Sequence, residues 1–280
     1  MLSKCKLCNG TRSKYLYDKN TFEVRKCLSC DVVYTVIPEK FNFDTIYNES
    51  YFQGGMSDGY NDYKGSRNVL HSEFSREVKL LRKYTSEHKT LLEIGSAYGF
   101  FLDVAKHYFE VDGIEIAQDA VDYAIRNGHI VYNSVLDSNL ADKLGKRDII
   151  CMFDVIEHLP NPDDTFRIID QIIEPNGLIL LTTGNIDSII AKLFGKNWRL
   201  MTPPQHTFFY SKNTLKYLLE RYNYEVLFID APSKLVPIGL MFYQLYRITG
   251  LRLRYFEKFT NYFLQLNLFD TIRILARKKD

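Results

Sequence analysis

Residues 91–102 read Leu-Leu-Glu-Ile-Gly-Ser-Ala-Tyr-Gly-Phe-Phe-Leu, which predicts an apolar strand, a turn of small residues and an apolar helix. Small residues let the backbone of such a turn approach a ligand closely, and the first helical turn offers unpaired N–H groups. A dinucleotide-binding turn follows the pattern G-x-G-x-x-G, in which the third glycine packs helix against strand. Phe100 occupies that third position here, so the pattern E-x-G-x-A-x-G favours a smaller nucleoside over a pyrophosphate.

Three further segments follow this turn in order. Glu115 closes the run Val111–Ile114, residues 148–160 read Asp-Ile-Ile-Cys-Met-Phe-Asp-Val-Ile-Glu-His-Leu-Pro, and Pro-Asn-Gly at 175–177 precedes an apolar run. Together with the glycine turn, these segments resemble those of the class I S-adenosylmethionine-dependent methyltransferases. The resemblance implies an α/β fold with a doubly wound, mostly parallel seven-stranded sheet of the Rossmann-like methyltransferase type. It also implies S-adenosylmethionine as the cofactor.

The alternation of apolar runs and helical patterns agrees with such a fold. Strands are predicted near residues 90–94, 110–114, 130–132, 148–153, 177–183 and 224–229, with helices between them. Successive β-α units with right-handed crossovers build a doubly wound parallel sheet, and ligands bind outside the carboxyl ends of its strands. The end of the chain, 270–279, resembles the last, antiparallel strand of the methyltransferase fold.

The resemblance also implies a cofactor site, residue by residue. In the implied site, the glycine turn faces the methionine end of the cofactor and Glu115 accepts hydrogen bonds from the ribose hydroxyls. Ile116 flanks the adenine, and Asp137 contacts the adenine amine. Glu93 is expected to brace the turn or the amino group. The full set implied for cofactor binding is Glu93, Gly95, Ala97, Tyr98, Gly99, Glu115, Ile116, Leu136, Asp137, Phe153 and Asp154.

Four of the five cysteines lie in the first thirty residues, as two C-x2-C pairs separated by 18 residues. This spacing, Cys5, Cys8, Cys27 and Cys30, is typical of a structural, tetrahedral Zn²⁺ site. The alternatives are two disulfides, which suit an exported chain, or four free thiols. The residues between the pairs predict a β-hairpin around residues 18–20. The fifth cysteine, Cys151, lies in an apolar run and is expected in the core.

We divide the chain into a zinc-ribbon-like module (1–38), an aromatic linker (39–65) and a methyltransferase domain (66–280). The tyrosines and glycines of the linker resemble a segment that closes over the cofactor in zinc-bearing relatives; the alternative is a linker pinned to the domain surface. Residues 231–269 are interpreted as an amphipathic helical insertion. Residues 235–280 carry eight Lys and Arg against three Asp and Glu. Such a stretch suits a membrane interface, a cap over the substrate pocket or a subunit contact.

Two histidines are the candidate catalytic residues. His206 lies in Pro-Pro-Gln-His, which resembles the substrate-side segment of sugar and lipid methyltransferases, and is the favoured base or substrate ligand. His158 follows Asp154 and Glu157, a cluster that resembles the divalent-cation site of ubiquinone-biosynthesis O-methyltransferases. Mg²⁺ binding there is the less favoured alternative to a role in the active-site wall. The histidines expected on the surface are His71, His88, His107 and His129.

These observations predict a methyltransferase that O-methylates a sugar hydroxyl in a nucleotide-sugar, a surface polysaccharide or a lipid-linked glycan. The alternatives are a quinone or lipid acceptor at the membrane, or a non-catalytic binding module that combines a zinc ribbon with a degenerate methyltransferase fold. A net charge of +2 argues against a general nucleic-acid binder. The start of the chain resembles no signal peptide, and no run of about 18 apolar residues occurs. We therefore expect a cytoplasmic protein. Peripheral membrane contact through residues 235–269 is an alternative. The oligomeric state is not predicted.

Overall fold

The computed structural model describes residues 4–38, 40–43, 63–86, 89–237 and 263–280. Within these ranges the strands are β1 (Ser13–Lys19), β2 (Phe22–Cys27), β3 (Val33–Thr35), β4 (Thr90–Ile94), β5 (Glu110–Glu115), β6 (Ile130–Asn133), β7 (Arg147–Phe153), β8 (Ile173–Gly184), β9 (Phe208–Phe209), β10 (Tyr224–Asp230), β11 (Lys234–Pro237), β12 (Phe263–Leu266) and β13 (Thr271–Lys278). The helices are α1 (Arg67–Leu81), α2 (Phe100–Ala105), α3 (Gln118–Arg126), α4 (Ser138–Leu144), α5 (Pro162–Ile172), α6 (Ile189–Phe194) and α7 (Lys212–Arg221).

Seven strands form the central sheet in the order β10-β13-β8-β7-β4-β5-β6. Strand β4 pairs in parallel with both β5 and β7, and β7 pairs in parallel with β8. Strand β13 is antiparallel to both of its neighbours, β8 and β10. This confirms the predicted Rossmann-like methyltransferase fold, including the antiparallel final strand. The strand order reverses at β4 and β7, the place where doubly wound sheets bind ligands.

Both faces of the sheet are covered, because successive side chains of a strand point to opposite faces. In β7, Ile150 and Met152 belong to one buried cluster, whereas Ile149 and Cys151 belong to the cluster on the other face. All four side chains are fully buried. Cys151 is therefore a core residue, as predicted.

The N-terminal module is built on a β-hairpin. Strands β1 and β2 pair antiparallel, with Lys19 opposite Phe22. The two loop residues, Asn20 and Thr21, both have positive φ angles of 49° and 68°, as a hairpin turn that matches strand twist requires. The predicted hairpin is thus confirmed. The sheet continues through β3 to β9, a two-residue strand from a distant part of the sequence, close to His206.

The predicted linker lies largely outside the described residues, since 39 and 44–62 are not described. At its end, the ring of Tyr63 stacks on Phe100 with centroids 5.6 Å apart and contacts Tyr98. Lys64 places its ammonium 4.7 Å from the centre of the Tyr98 ring. These contacts attach the residues before α1 to the helix that follows the glycine turn. Whether the linker closes over a cofactor stays a prediction.

The predicted insertion begins and ends as a two-stranded antiparallel ribbon, in which β11 pairs with β12. The ends are therefore strands where we expected helix, and residues 238–262, the predicted amphipathic part, lie outside the described residues. Gln265 donates to Ser233, so the two ends of the ribbon are joined by a side-chain hydrogen bond as well. Across the parts of the chain that the structure describes, no helix combines the length and apolar character needed to cross a bilayer.

Asp270, which directly precedes β13, forms a buried polar clamp. Its carboxylate accepts two hydrogen bonds from the Arg199 guanidinium, at 2.9 and 3.0 Å, and one from the indole N–H of Trp198 at 3.1 Å. Only 2% of Asp270 is exposed. The clamp joins the start of β13 to the segment that leads to His206. No local pattern in the sequence predicted it.

Replacing Asp270 by Asn removes the negative charge that holds the Arg199 guanidinium; the Arg199 side chain is 26% exposed and that of Asp270 is 2% exposed. We expect Asp270→Asn to lower the free energy of unfolding by about 1.5–3 kcal/mol, the usual contribution of a hydrogen bond to a charged group. The matched control is Asp187→Asn, whose exposed pair with Lys192 should contribute at most about 1 kcal/mol. Urea denaturation of both variants measures the difference. Equal, small effects would contradict the clamp.

Candidate active site

The turn between β4 and α2 lies against the neighbouring strand. The N–H groups of Gly95 and Ser96 both donate to the carbonyl of Ile114, at 2.8 and 2.9 Å. Gly95 has a φ of +76°, and a Cβ atom at this position would lie 2.5 Å from a methyl carbon of Val155. Gly99, with a φ of +79°, precedes the first residue of α2. The predicted glycine turn is therefore a backbone surface that no larger residue at Gly95 could form.

Glu115 ends β5 beside this turn, and its carboxylate is buried. It accepts hydrogen bonds from the N–H groups of Ala97 at 2.9 Å, Ile116 at 2.7 Å and Ala117 at 2.9 Å. Burial raises the pKa of Glu115, although the three N–H groups oppose the shift. Two of these bonds go to Oε1 and one to Oε2, so Oε2 keeps acceptor capacity for one further donor. A ribose hydroxyl is such a donor.

Glu93, on β4, is a second buried carboxyl at this edge. It is 3% exposed, and its Oε2 has no hydrogen-bond partner. Burial raises the pKa of Glu93 well above its usual value, and the charge of Glu115 raises it further. A buried carboxyl without a partner is costly unless it is neutral or faces a cation. The pair Glu93 and Glu115 therefore fits a ligand that brings positive charge and hydroxyl groups, as S-adenosylmethionine does.

The residues predicted to contact the adenine lie along the ends of β5 and β6. Ile116 is 42% exposed, which suits an apolar contact with a flat ring. Its carbonyl accepts a hydrogen bond from the Asn133 amide at 2.9 Å. Asp137 caps α4, and its Oδ1 accepts from the N–H of Leu140 at 2.8 Å. Asp137 thus has a structural role that the sequence analysis missed, while Leu136, half-buried, packs against the core.

Two predicted cofactor residues direct their rings into packed clusters. The Tyr98 ring is 2% exposed, and its hydroxyl donates to Asp119 at 2.8 Å. The Phe153 ring lies against Phe101, with centroids 4.7 Å apart, and belongs to a core cluster. These rings support the turn from behind. A cofactor role for Tyr98 and Phe153 stays a prediction.

Asp154 follows β7 with an uncommon positive φ of 55°. Its carboxylate accepts from the Lys234 ammonium at 3.0 Å and from the Thr182 hydroxyl at 2.9 Å. Lys234 is the first residue of β11, so this ion pair links the base of the insertion to the exit of β7. Sequence reasoning missed Lys234, because the two residues are 80 positions apart.

His158 and His206, the two candidate catalytic residues, lie next to each other with ring centroids 4.7 Å apart. A carboxylate oxygen of Glu157 and one ring nitrogen of each histidine lie within 4.8 Å of one another. The loop that carries His206 is tied to the same turn, because the N–H groups of Thr207 and Phe208 donate to the Glu157 carbonyl at 2.8 and 3.1 Å. The structure therefore brings together three residues from the two predicted segments.

Hydrogen bonds to backbone carbonyls indicate the tautomers of the two histidine rings. Nδ1 of His206 lies 2.7 Å from the Leu200 carbonyl, and Nδ1 of His158 lies 3.1 Å from the Gln205 carbonyl. A carbonyl oxygen can only accept, so we assign a proton to each Nδ1, which leaves Nε2 of a neutral ring as the basic nitrogen. Burial raises the pKa of Glu157 to about 7, with the nearby His206 opposing the shift.

This cluster differs from the predicted Asp154, Glu157 and His158 set. Asp154 is occupied by Lys234 and Thr182, and His206 completes the group instead. One carboxylate and two imidazoles are the donors of a transition-metal site, whereas Mg²⁺ prefers oxygen ligands. The donor set therefore argues against Mg²⁺ at this position.

The four N-terminal cysteines converge on one point. The Sγ atoms of Cys5 and Cys30 are 3.8 Å apart, those of Cys8 and Cys27 are 3.6 Å apart, and all four lie within 4.8 Å. These separations exceed the 2.05 Å of a disulfide bond by far. Four thiolates about 2.3 Å from a tetrahedral Zn²⁺ would be separated by about 3.8 Å. The cysteines therefore fit a closed, structural metal site and have no position left for a substrate.

One histidine contradicts the sequence analysis. His129 was expected on the surface, but it is 6% exposed and its Nε2 lies 2.9 Å from the Asp103 carboxylate. The same carboxylate contacts His71 at 3.1 Å and Arg67 at 2.8 Å. This cluster joins α1 to α2 behind the glycine turn. His107 is exposed as predicted, and His88 lies outside the described residues.

Comparisons with known proteins identify the family of the domain. The family model described as "Methyltransferase domain" matches residues 67–228. A ubiquinone biosynthesis O-methyltransferase from Shewanella halifaxensis is 22% identical over 44% of this chain and 56% of its own length, and one from Azoarcus is 25% identical over 48% and 61%. The chain thus spans less than two thirds of these relatives.

A solved structure shares the fold. The magnesium protoporphyrin IX methyltransferase from Synechocystis, with bound SAH, superposes with a TM-score of 0.54 at 12% identity, over 84% of this chain and 97% of that one. At this sequence identity, the structural similarity shows a shared fold and nothing more.

A cationic ligand beside Glu93 should lower the raised pKa of that carboxyl, so binding should release a proton. We expect the affinity for S-adenosylmethionine to increase with pH over the range in which the free protein holds this proton. Calorimetry in buffers of different ionisation enthalpy measures the release, which Glu93→Gln should abolish. Glu220→Gln, at an exposed position of α7, is the control. Equal proton release from the wild type and Glu93→Gln would contradict the role of Glu93.

Proposed function

The chain belongs to the methyltransferase domain family, and from this premise we propose that it transfers a methyl group from S-adenosylmethionine to a hydroxyl oxygen. The observation that carries the proposal is the placement of two sites at one edge of the sheet. The glycine turn with Glu93 and Glu115 forms the donor side, and Glu157, His158 and His206 form the acceptor side. The donor lies against the backbone of the glycine turn, and the acceptor meets the ring nitrogens of the histidines.

On the donor side, Glu115 holds the ribose through the free acceptor capacity of Oε2, and Ile116 covers the adenine. Glu93 faces the positive charge of the methionine portion. S-adenosylmethionine, when bound, supplies a methyl group already activated by its sulfonium. The contribution of the protein is therefore to align the acceptor oxygen with that methyl group and to exclude competing orientations.

On the acceptor side, His206 removes the proton of the acceptor hydroxyl through Nε2, because its Nδ1 donates to Leu200. Glu157 stabilises the imidazolium that this transfer creates, since its carboxylate lies within 4.8 Å of the ring nitrogen. His158 forms the adjacent wall and orients the hydroxyl. A neutral base of this kind suits an alcohol or phenol oxygen, which is a poor nucleophile while it keeps its proton.

The acceptor that we favour is a sugar hydroxyl, in a nucleotide-sugar or a glycan. The support is the Pro-Pro-Gln-His segment, which resembles that of sugar and lipid methyltransferases. A second candidate is the phenolic hydroxyl of a quinone precursor. The similarity to ubiquinone biosynthesis O-methyltransferases supports this candidate. A membrane-borne acceptor of this kind would agree with peripheral contact through residues 235–269.

We also propose that Cys5, Cys8, Cys27 and Cys30 bind one structural Zn²⁺ ion. The support is their spacing in the sequence and the tetrahedral separation of their sulfurs. Burial raises the pKa of Cys8 to about 11, so the thiol of Cys8 needs a nearby cation to be deprotonated at neutral pH.

Incubation of the protein with methyl-labelled S-adenosylmethionine tests the function directly. Nucleotide-sugars, glycans and a polyprenylated catechol serve as separate acceptors, and the position of the label identifies the methylated atom. We expect His206→Ala to lower kcat by about 10²–10⁴-fold, the usual contribution of a general base, with unchanged affinity for the donor.

The control for this experiment is His107→Ala, since His107 is exposed at the end of α2. It should retain wild-type turnover. Normal turnover of His206→Ala would eliminate His206 as the base. Label on nitrogen or carbon would contradict O-methylation, and transfer only to the catechol would replace the sugar by the second candidate.

The metal proposal predicts one equivalent of zinc per chain in purified protein, measured by atomic emission. Cys5→Ser and Cys27→Ser should each lose the metal and lower the unfolding temperature, because metal binding supplies folding energy to so small a module. Cys151→Ala, which changes a core cysteine outside the cluster, should keep its zinc. Fully metal-free wild-type protein with an intact fold would refute the site.

A further inference from the structure

The N-terminal module contributes a strand to the loop that carries His206. Strand β3 pairs antiparallel with β9, with Val33 opposite Phe209 and Tyr34 opposite Phe208. The N–H of Thr35 donates to the Thr207 carbonyl at 2.9 Å. Phe208 and Phe209, the second and third residues after His206, are therefore held in a sheet whose other three strands all belong to the module.

Two side chains of the module hold the backbone of this loop in addition. The hydroxyl of Thr35 donates to the carbonyl of His206 itself at 2.9 Å, and both residues are buried. The amide of Asn20, at the tip of the hairpin, donates to the Pro203 carbonyl at 2.8 Å. The module thus fixes the loop on both sides of Gln205.

The opposite side of the loop faces the end of β7. The Thr207 hydroxyl donates to the carbonyls of Glu157 at 3.0 Å and Leu159 at 2.8 Å, in addition to the two N–H groups that donate to Glu157. The loop therefore lies between two supports, the Glu157 turn and the module. Removal of either support frees the backbone that orients the His206 ring.

The metal site and Thr35 are connected by a short, hydrogen-bonded path. Cys27 ends β2, its N–H donates to the Val32 carbonyl, and its carbonyl accepts from Asp31. Cys30 lies three residues before β3. The turn that contains both cysteines therefore connects β2 to β3. A module of this size buries little apolar surface of its own, so a metal ion held by the four cysteines would order this turn and with it the start of β3.

We propose that the zinc module is a positioning element of the active site, and that Thr35 is the residue through which it positions His206. Metal binding orders the turn between Cys27 and Cys30, the turn places β3, and Thr35 on β3 holds His206 against Glu157. The proposal rests on the proposed function, in which His206 takes the acceptor proton. In this proposal the module takes part in catalysis by positioning His206. A module that only bound a partner would have no effect on His206.

The test compares Thr35→Val, which keeps the size but removes the hydroxyl, with Thr35→Ser, which restores the donor. Thr165→Val is the matched control, because the Thr165 hydroxyl also donates to a backbone carbonyl, that of Asn161, on α5. The chain has six histidines, so the imidazole nitrogens of His206 can be assigned by NMR through comparison with His206→Gln. Zinc content, affinity for S-adenosylmethionine and kcat complete the readouts.

We expect Thr35→Val to keep one zinc and wild-type donor affinity, while the His206 resonances shift and kcat falls by about 10–100-fold, because a small misplacement of a catalytic group costs about that much. Thr35→Ser should restore most of the wild-type kcat and the wild-type His206 resonances, and Thr165→Val should change neither quantity. Zinc-stripped wild-type protein should show the same displacement of the His206 resonances.

Unchanged His206 resonances in Thr35→Val would overturn the proposal. It would also be overturned if zinc-stripped protein were folded by circular dichroism and had the same His206 resonances as zinc-loaded protein. If Thr35→Val does not fold, the comparison of stripped and loaded wild-type protein decides alone. The NMR and zinc readouts need no acceptor. Absence of turnover with every acceptor would therefore count against the proposed function while leaving the positioning of His206 measurable.

Discussion

The parallel pairing of β4 with both β5 and β7 is the constraint on which the candidate site depends. Ile94 lies opposite Ile114 on one side and Met152 on the other, so three turns leave the sheet at one level. Close approach of the first turn to β5 also requires Gly113, because a Cβ there would lie 2.6 Å from the Ser96 hydroxyl. Once these strands pair, the donor turn, Glu115 and the Glu157 turn must meet at the same edge.

Three buried carboxyls meet at that edge, and each is stabilised differently. Glu115 accepts three backbone N–H groups, Glu93 is held towards its neutral form, and Glu157 lies beside an imidazole. Burial alone raises the pKa of a carboxyl, so the differences come from the partners. In the proposed function, Glu93 and Glu115 meet the positive charge and the hydroxyls of the cofactor. Glu157 and His206, whose ligand atoms lie within 4.8 Å of each other, would hold the proton of the acceptor.

The N-terminal module has no separate core. Its buried residues Leu7, Val32 and Tyr34 belong to the same cluster as Phe208, Tyr210 and the apolar face of α7. The Arg221 guanidinium, at the end of α7, donates to the Leu7 carbonyl at 3.2 Å. A segment of this length buries too little apolar surface to be stable alone, so the shared core and a metal ion at the four cysteines would both contribute to its stability. The same sharing places the module beside the loop that carries His206.

The residues of the chain, read alone, determined the strands of the central sheet, the hairpin of the module and the edge at which the cofactor is expected. Those features depend on periodicity and turn residues among near neighbours, which a single sequence displays. Only the tertiary structure decided that β9 completes the sheet of the module, that Asp154 pairs with Lys234 and that His129 is buried. It also decided that His206 joins Glu157 and His158, through a loop whose Thr207 contacts a residue fifty positions away. Such contacts arise when packed elements meet in space, and local sequence patterns carry no record of which distant partners will do so.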